Sequence, residues 1–153
     1  MRRWAQLLLP SRPVVYRCQM RLNDAVCAFL DAPRFAVLGT LNADGSPQLS
    51  AIWYERRGNE VIVNTTVPRL KARNIERDHR VALLVGAPAP YVRLDGEARV
   101  IATGADALRD IRALGVRYNG EESAERTTRN VWSKEHRVTY AIAVKRVYTY
   151  ELD

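Results

Sequence analysis

The segment TVPRLKARNIER, residues 66–77, concentrates positive charge where a helix disfavours it. Pro68 followed by helix formers predicts a helix over about 68–77 with the proline in its first turn, since a fixed φ and a missing N–H suit that position. The N-terminal end of a helix carries partial positive charge, and acidic side chains ordinarily stabilise it. Arg69 and Lys71 stand there instead, with Arg73 just behind. Free backbone N–H groups, the helix dipole and two long cations would make one site for a phosphate-sized anion. A solvated basic helix laced by Glu76 and Asp78 is the alternative. At about 100° per residue, Lys71 and Asn74 fall on nearly the same side as Val67 and Leu70, the expected inward face.

Two strand-like segments bring polar groups to the same region. EVIVNTT (60–66) delivers Asn64, Thr65 and Thr66 directly ahead of the basic segment. In QLSAIWYE (48–55), the two-residue period puts Gln48, Ser50, Ile52 and Tyr54 on one face. Gln48 and Ser50 on a face expected to be buried need hydrogen-bond partners; a polar planar ligand or a neighbouring backbone would serve equally. Trp53 faces the other way and reads as core. Trp132, in a polar stretch, reads as a lid, a ring-stacking residue or an interface anchor. Tyr118 and Arg137 are candidates to line a pocket or to sit on the surface, and His79 and His136 lie among charges and read as solvated.

The elements that must hold these groups alternate in a regular way. Asn23 can cap a helix over 24–31 that Pro33 stops. FAVLGTL (35–41) and RVALLVG (80–86) are continuously apolar and read as strands buried on both faces. Asp44-Gly45 signals a hairpin between the first strand and QLSAIWYE. EVIVNTT, an alternating strand over 91–102 and a long closing strand over 136–152 bring the total to six. Residues 104–118 read as a helix with Ala107, Leu108, Ile111 and Leu114 on one face, and 121–130 as a mobile helix or loop. The class is mainly β (α+β), with sequential antiparallel strands expected to form a barrel or sandwich.

The chain has 153 residues and a formal net charge of +7, with 47% hydrophobic and 27% charged residues. That size and composition fit a single folded domain with a substantial core. The basic excess fits an anionic partner, whether nucleic acid, an acidic membrane surface or a phosphorylated small molecule. Cys18 and Cys27 form no CxxC pair and only His79 and His136 accompany them, so neither a Cys/His metal site nor a disulfide framework is expected. A reducing cytoplasm is the expected compartment. No stretch reaches the length of a membrane span. Residues 1–19 read as an N-terminal extension, too broken by Pro10, Arg12 and Pro13 for a signal core, ahead of a domain over 20–153. A nucleic-acid-binding module is a weaker expectation, because no helix-turn-helix, zinc-finger or RNA-stacking signature is present.

The order DGSPQLS, a strand ending in threonines, PRLKARN, then RDHRVALLV is similar to the core of the flavin/deazaflavin oxidoreductases of the pyridoxamine 5'-phosphate oxidase-like superfamily. The resemblance covers roughly residues 22–152 and implies a six-stranded split β-barrel that forms a homodimer with a flavin-type cofactor in the groove between subunits. By motif, Arg69 and Lys71 should grip the cofactor phosphate, with Asn64, Thr65 and Thr66 beside the phosphate or ribityl chain. Gln48 and Ser50 should run along the tricyclic ring, and Asn74 should support the phosphate loop or merely cap structure. QLSAIWYE carries no arginine or lysine before Arg56, and the C-terminal tail lacks the long extension of the true oxidases. Both departures argue against pyridoxal chemistry, and the PRLKARN form resembles the branch that uses coenzyme F420. The implied function is hydride transfer between bound F420 and an organic acceptor such as an enone or quinone, with no side chain singled out as a catalytic acid or base. FMN, or a tetrapyrrole such as haem or biliverdin, is the alternative occupant. Arg73, Arg77 and Arg80 continue the basic run and would favour the longer, more anionic F420 over FMN.

Overall fold

The computed structural model describes residues 20–152, so the expected extension over 1–19 lies outside the described residues. Asn23 caps α1 (Asp24–Asp31) as expected, its Oδ1 accepting the Val26 N–H at 2.9 Å. The strands are β1 (Ala36–Leu41), β2 (Pro47–Ile52), β3 (Tyr54–Arg57), β4 (Glu60–Thr66), β5 (Arg80–Val85), β6 (Tyr91–Thr103) and β7 (Arg137–Tyr150). Between them lie α2 (Leu70–Arg77), α3 (Gly104–Asn119), α4 (Glu121–Asn130) and a 3₁₀ turn over Trp132–Lys134. The stretch over 121–130, expected to be a mobile helix or loop, is helical.

All strands join one antiparallel sheet in the order β2-β1-β5-β6-β7-β4-β3. The expectation of six strands is corrected to seven, and the sheet is open rather than a closed barrel. QLSAIWYE is the cause. Ile52 pairs with Ala36 of β1, whereas Tyr54, two residues on, pairs with Val63 of β4. One continuous run of strand residues therefore belongs to the two opposite edges of the sheet, and Trp53 is the crossing point. The sheet must curl strongly for one residue to span its edges.

The hairpin between β1 and β2 is built as Asp44-Gly45 predicts. Gly45 takes φ 84°, a left-handed conformation that glycine adopts without a Cβ clash. The Asp44 carboxylate accepts the Ser46 N–H at 3.0 Å. The principal core joins α1, the inner face of the sheet and the inner side of α2, with Leu30, Leu38, Tyr54, Ile75, Leu83 and Leu94 among its fully buried side chains. A second cluster of Ile111, Leu114, Ala124 and Trp132 binds α3 to α4 and the 3₁₀ turn.

β1 and β5 do not match the expectation of strands buried on both faces. Ala36, Leu38 and Thr40 are buried, while Val37 is exposed; in β5, Val81, Leu83 and Val85 are buried and Ala82 and Leu84 only half so. Among the described residues, no helix packs over the outer face of these apolar strands.

Candidate functional site

β4 ends at Thr66, and a tight turn through Val67 and Pro68 leads into α2. Helix α2 begins at Leu70, so Pro68 lies in the turn before it and Arg69 occupies the N-cap, without a side-chain capping bond. The Arg69 N–H donates to the Thr66 carbonyl, and the Arg69 carbonyl accepts from both Ala72 and Arg73. This start shifts the helical wheel. Val67 and Leu70, expected inward, are exposed, and the buried side is Lys71, Ala72, Asn74 and Ile75.

A groove of about 310 Å³ opens beside this helix start, at the point where the chain crosses from one sheet edge to the other. Its basic side is Arg69, Lys71 and Arg137, with Glu135 and Asn64 between them. Its apolar side is Phe35, Ala51, Ile52 and Trp53, closed by Ile111, Val131 and Trp132 from the helical cap. Lys71 is only 8% exposed, yet it makes no hydrogen bond or ion pair with any described residue. Burial, and secondarily the Arg69 charge beside it, pull its pKa below the usual lysine value.

Arg137 is 7% exposed and is held on two sides. Its Nε donates to Asn64 Oδ1 at 2.7 Å, and its Nη1 forms an ion pair with Glu135. Burial lowers its pKa despite Glu135, and the Arg69 charge adds to the lowering. Glu135 therefore offsets Arg137, while Arg69 and Lys71 have no anionic partner among the described residues. Three mutually repelling cations around one groove make sense as a receptor for an anion.

The expected site residues separate into three groups. Asn64, Arg69 and Lys71 meet in the groove. Asn64 is also structural, since its Nδ2 donates to the Ala107 carbonyl and to Thr139 Oγ1, both at 2.9 Å, tying β4 to α3 and β7.

Gln48 and Asn74 do not line this groove. Asn74 is fully buried and donates to Thr40 Oγ1 at 3.1 Å and to Asn42 Oδ1 at 2.9 Å; Thr40 in turn donates to Gln48 Oε1 at 2.8 Å. This chain of side chains pins α2 to the β1–β2 hairpin, and with Gln48 Nε2 donating to the Leu49 carbonyl at 3.1 Å, a neighbouring side chain and a backbone group together meet the need for which a planar ligand was the alternative.

Ser50, Thr65 and Thr66 form the third group. The Ser50 and Thr65 hydroxyls are buried with no hydrogen-bond partner. Thr65 follows Val61 and Val63 on the core face, one residue out of phase with Asn64. Thr66 is buried and contributes its carbonyl to the Arg69 amide.

The basic run beyond Lys71 is less free than its sequence suggests. Arg80 is paired with Asp78 at 2.6 Å, and Arg77 donates to the Leu41 carbonyl and to Asn74. Arg73 is exposed. Trp53, expected in the core, lines the groove half-buried, with Tyr118 stacked behind it. Arg137 and Trp132 prove to be groove residues, whereas the only signals for them in the sequence were their residue types. His79 and His136 are exposed, as expected.

Among the described residues, no three His, Cys, Asp or Glu side chains gather where they could hold a metal ion, and no helix is long and apolar enough to cross a membrane.

Residues 22–150 match the family model described as Pyridoxamine 5'-phosphate oxidase. Among solved structures, a conserved hypothetical protein from Mycobacterium tuberculosis is similar over 88% of each chain, at 26% identity and a TM-score of 0.68. A protein named F420 Reductase is similar over 79% of this chain and 94% of its own, at 24% identity and a TM-score of 0.62. A haem storage protein from Vibrio cholerae matches 85% of this chain and 95% of its own, at 15% identity and a TM-score of 0.62. At 24% and 15% identity, the last two likenesses establish a common fold.

Proposed function

The chain belongs to the pyridoxamine 5'-phosphate oxidase family, and from that premise we propose that it is an oxidoreductase that binds coenzyme F420 and reduces an organic acceptor. The observation that carries this reading is Lys71, a lysine only 8% exposed whose ammonium has no anionic partner among the described residues, set beside Arg69 at the start of α2. A cofactor phosphate between these two side chains would supply the missing charge and accept from the helix end. Arg137, fixed by Asn64 and Glu135, would form the far wall of that phosphate site.

Bound F420 supplies the hydride chemistry, and the chain's part is to hold, orient and exclude water. Reduction of an enone or quinone consumes one hydride from the reduced carrier and one proton, which water provides. Arg69 and Lys71 fix the phosphate end. Ile52, Trp53 and Ile111 give the groove a dry, apolar interior in which a planar ring can lie.

F420 extends past its phosphate into an acidic tail, and Arg73, exposed one turn along from Arg69, adds a cation on the same helix outside the groove lining. The segment QLSAIWYE, which spans β2 and the start of β3, lacks a basic residue before Arg56, which sets this chain apart from the pyridoxal-handling members. Similarity in fold to a protein named F420 Reductase is consistent with this choice. FMN is the second reading, because Arg69 and Lys71 alone suffice for a terminal phosphate. Haem is disfavoured, since none of the described residues lining the groove is a His, Cys, Met or Tyr able to ligate its iron.

The active unit in this proposal is a homodimer. β1 and β5 carry apolar runs whose outer face lacks a cover among the described residues, and Phe35 and Leu49 on that side are 69% and 67% exposed. Phe35 and Ala51 also line the groove, so a second copy seated on this face would reach the cofactor site. Titrating the purified protein with F420 and with FMN, followed by absorbance and fluorescence, tests the reading. Saturable binding of F420 that Lys71→Ala weakens supports it, and absence of binding to either cofactor overturns it.

A further inference from the structure

We propose that a second site, formed by α2 with the C-terminal end of β6 and the N-terminal end of β7, binds a small organic cation, a primary alkylammonium with a compact apolar body. The pocket there has a volume of about 360 Å³, enough for such a molecule, and it shares no lining residue with the groove. It opens where the core face of the sheet runs out from under α2. Ala98 is buried, whereas Val100, two residues along β6 on the same face, is 56% exposed although Tyr140 stands directly opposite it in β7. Ile75 of α2 and Val138 of β7 continue the apolar floor.

Three polar side chains line the same pocket, and each offers an acceptor. Tyr140 is only 5% exposed, yet its hydroxyl, open to the pocket, has no hydrogen-bond partner among the described residues. A buried phenol ordinarily finds one. Burial raises the Tyr140 pKa above its ordinary value, and the Glu76 charge adds to the rise, so hydroxyl and carboxylate feel each other across the pocket. Glu76 itself forms no ion pair with any described residue. His79 Nδ1 donates to the Ile75 carbonyl at 2.8 Å, which leaves Nε2 of the neutral ring as an acceptor.

These groups decide the sign of the guest. Arg99, the arginine in the lining, is engaged by Glu60 through both terminal nitrogens, one of them at 3.0 Å. An anion would therefore meet an unpaired carboxylate and an arginine already neutralised. An ammonium meets the reverse. Glu76 supplies its counter-charge, and its three N–H donors equal the acceptors in number. Its hydrocarbon body would cover Val100 and Val67, both exposed at the rim.

The test titrates the whole chain near neutral pH with cyclohexylamine, cyclohexanol and cyclohexanecarboxylate, following the ring proton resonances of Tyr140 and His79. The charged amine should shift both sets saturably, with a dissociation constant on the order of 1 mM. The alcohol should bind more weakly and the carboxylate should leave both rings unmoved. Glu76→Gln should weaken the amine about two- to fivefold, the worth of an exposed ion pair. Tyr140→Phe should weaken it about two- to tenfold, the worth of one hydrogen bond. The same substitution should leave the melting temperature of the unliganded chain unchanged or raised, because no protein group is deprived of a partner. Rings that the amine does not move, equal responses to the three probes, or an unchanged amine affinity in Glu76→Gln would overturn the site. A lower melting temperature for Tyr140→Phe would also overturn it, by showing that the phenol is held within the protein. A dimer that Val100→Arg disperses, with no amine response in the parent, would assign the pocket to a subunit contact instead.

Discussion

The Nε of Arg137 donates to Asn64 Oδ1 at 2.7 Å, across the pairing of β4 with β7. Seventy-three residues separate the two in sequence. This bond fixes one flank of the guanidinium while Glu135 holds another, so the cation enters the groove with a set orientation. Asn64 has no freedom to move, because Ala107 and Thr139 occupy its amide. Replacing Asn64 by Ala should release Arg137 and leave buried partners unsatisfied, at a cost of about 1–3 kcal/mol. Chemical denaturation measures the loss; an unchanged midpoint would show that the bond contributes nothing to stability.

Lys71→Ala and Arg69→Ala should each weaken phosphate binding about 10- to 150-fold, the worth of one charge-assisted contact. The uncomplexed protein should respond in the opposite sense to Lys71→Ala. A cation leaves the positive end of α2, which alone is worth about 0.3–1 kcal/mol of added stability. Thermal unfolding with and without inorganic phosphate separates the two effects. Unchanged phosphate affinity in both variants would mean that the helix start is merely solvated.

Lys71 also makes a pH prediction. Its folded pKa lies below the ordinary 10.5 because of burial and Arg69. The unfolded chain therefore holds the proton more tightly, and this group's contribution to stability rises with pH across the window between its lowered value and 10.5. Anion binding runs the other way, because it needs the ammonium and should weaken as pH climbs through the lowered pKa. Phosphate affinity measured from pH 7 to 10, in parent and Lys71→Met, checks this. The variant should show the flatter profile.

Tyr54 supplies a separate alkaline transition. Burial pushes its phenol up to about 12, and its hydroxyl donates to the Ala32 carbonyl at 3.2 Å. The unfolded chain ionises near 10 and the folded chain about two units later. Stability should fall by roughly 2–3 kcal/mol as pH rises through that interval. Tyr54→Phe should flatten the decline, which unfolding curves between pH 9 and 12 would reveal.

The elements with local signals were legible in the sequence. Asn23 caps α1, Asp44-Gly45 turns the first hairpin, and Ala107, Ile111 and Leu114 face inward from α3. The break at Trp53 had no local signal, because the two-residue period runs unbroken through QLSAIWYE while the chain changes partners from β1 to β4. Gln48 and Asn74 illustrate a second limit. A polar residue on a buried face announces only that it has a partner; here Gln48 finds Thr40 and the Leu49 carbonyl, and Asn74 finds Thr40 and Asn42. Arg137 and Trp132 join Lys71 only through the pairing of β4 with β7 and the α3–α4 packing, neither of which leaves a spacing pattern.

The outer face of β1 and β5, uncovered among the described residues, predicts the consequence of one substitution. Leu49→Arg places charge on an exposed apolar site of the proposed dimer interface without touching the core. The parent should sediment as a dimer at micromolar concentration and the variant as a monomer with an unchanged melting profile. A parent chain that is monomeric, yet binds cofactor normally, would remove the shared groove.

The most direct test of the central claim is equilibrium titration of F420 and FMN, at low and high salt, into the parent and Lys71→Ala. The account predicts that the parent binds F420 more tightly than FMN. That binding should weaken as salt rises and as the acidic tail is shortened, and it should fall about 10- to 150-fold when Lys71 is removed. Equal F420 affinity in the parent and the variant would contradict the assignment of the Lys71 ammonium as the phosphate ligand.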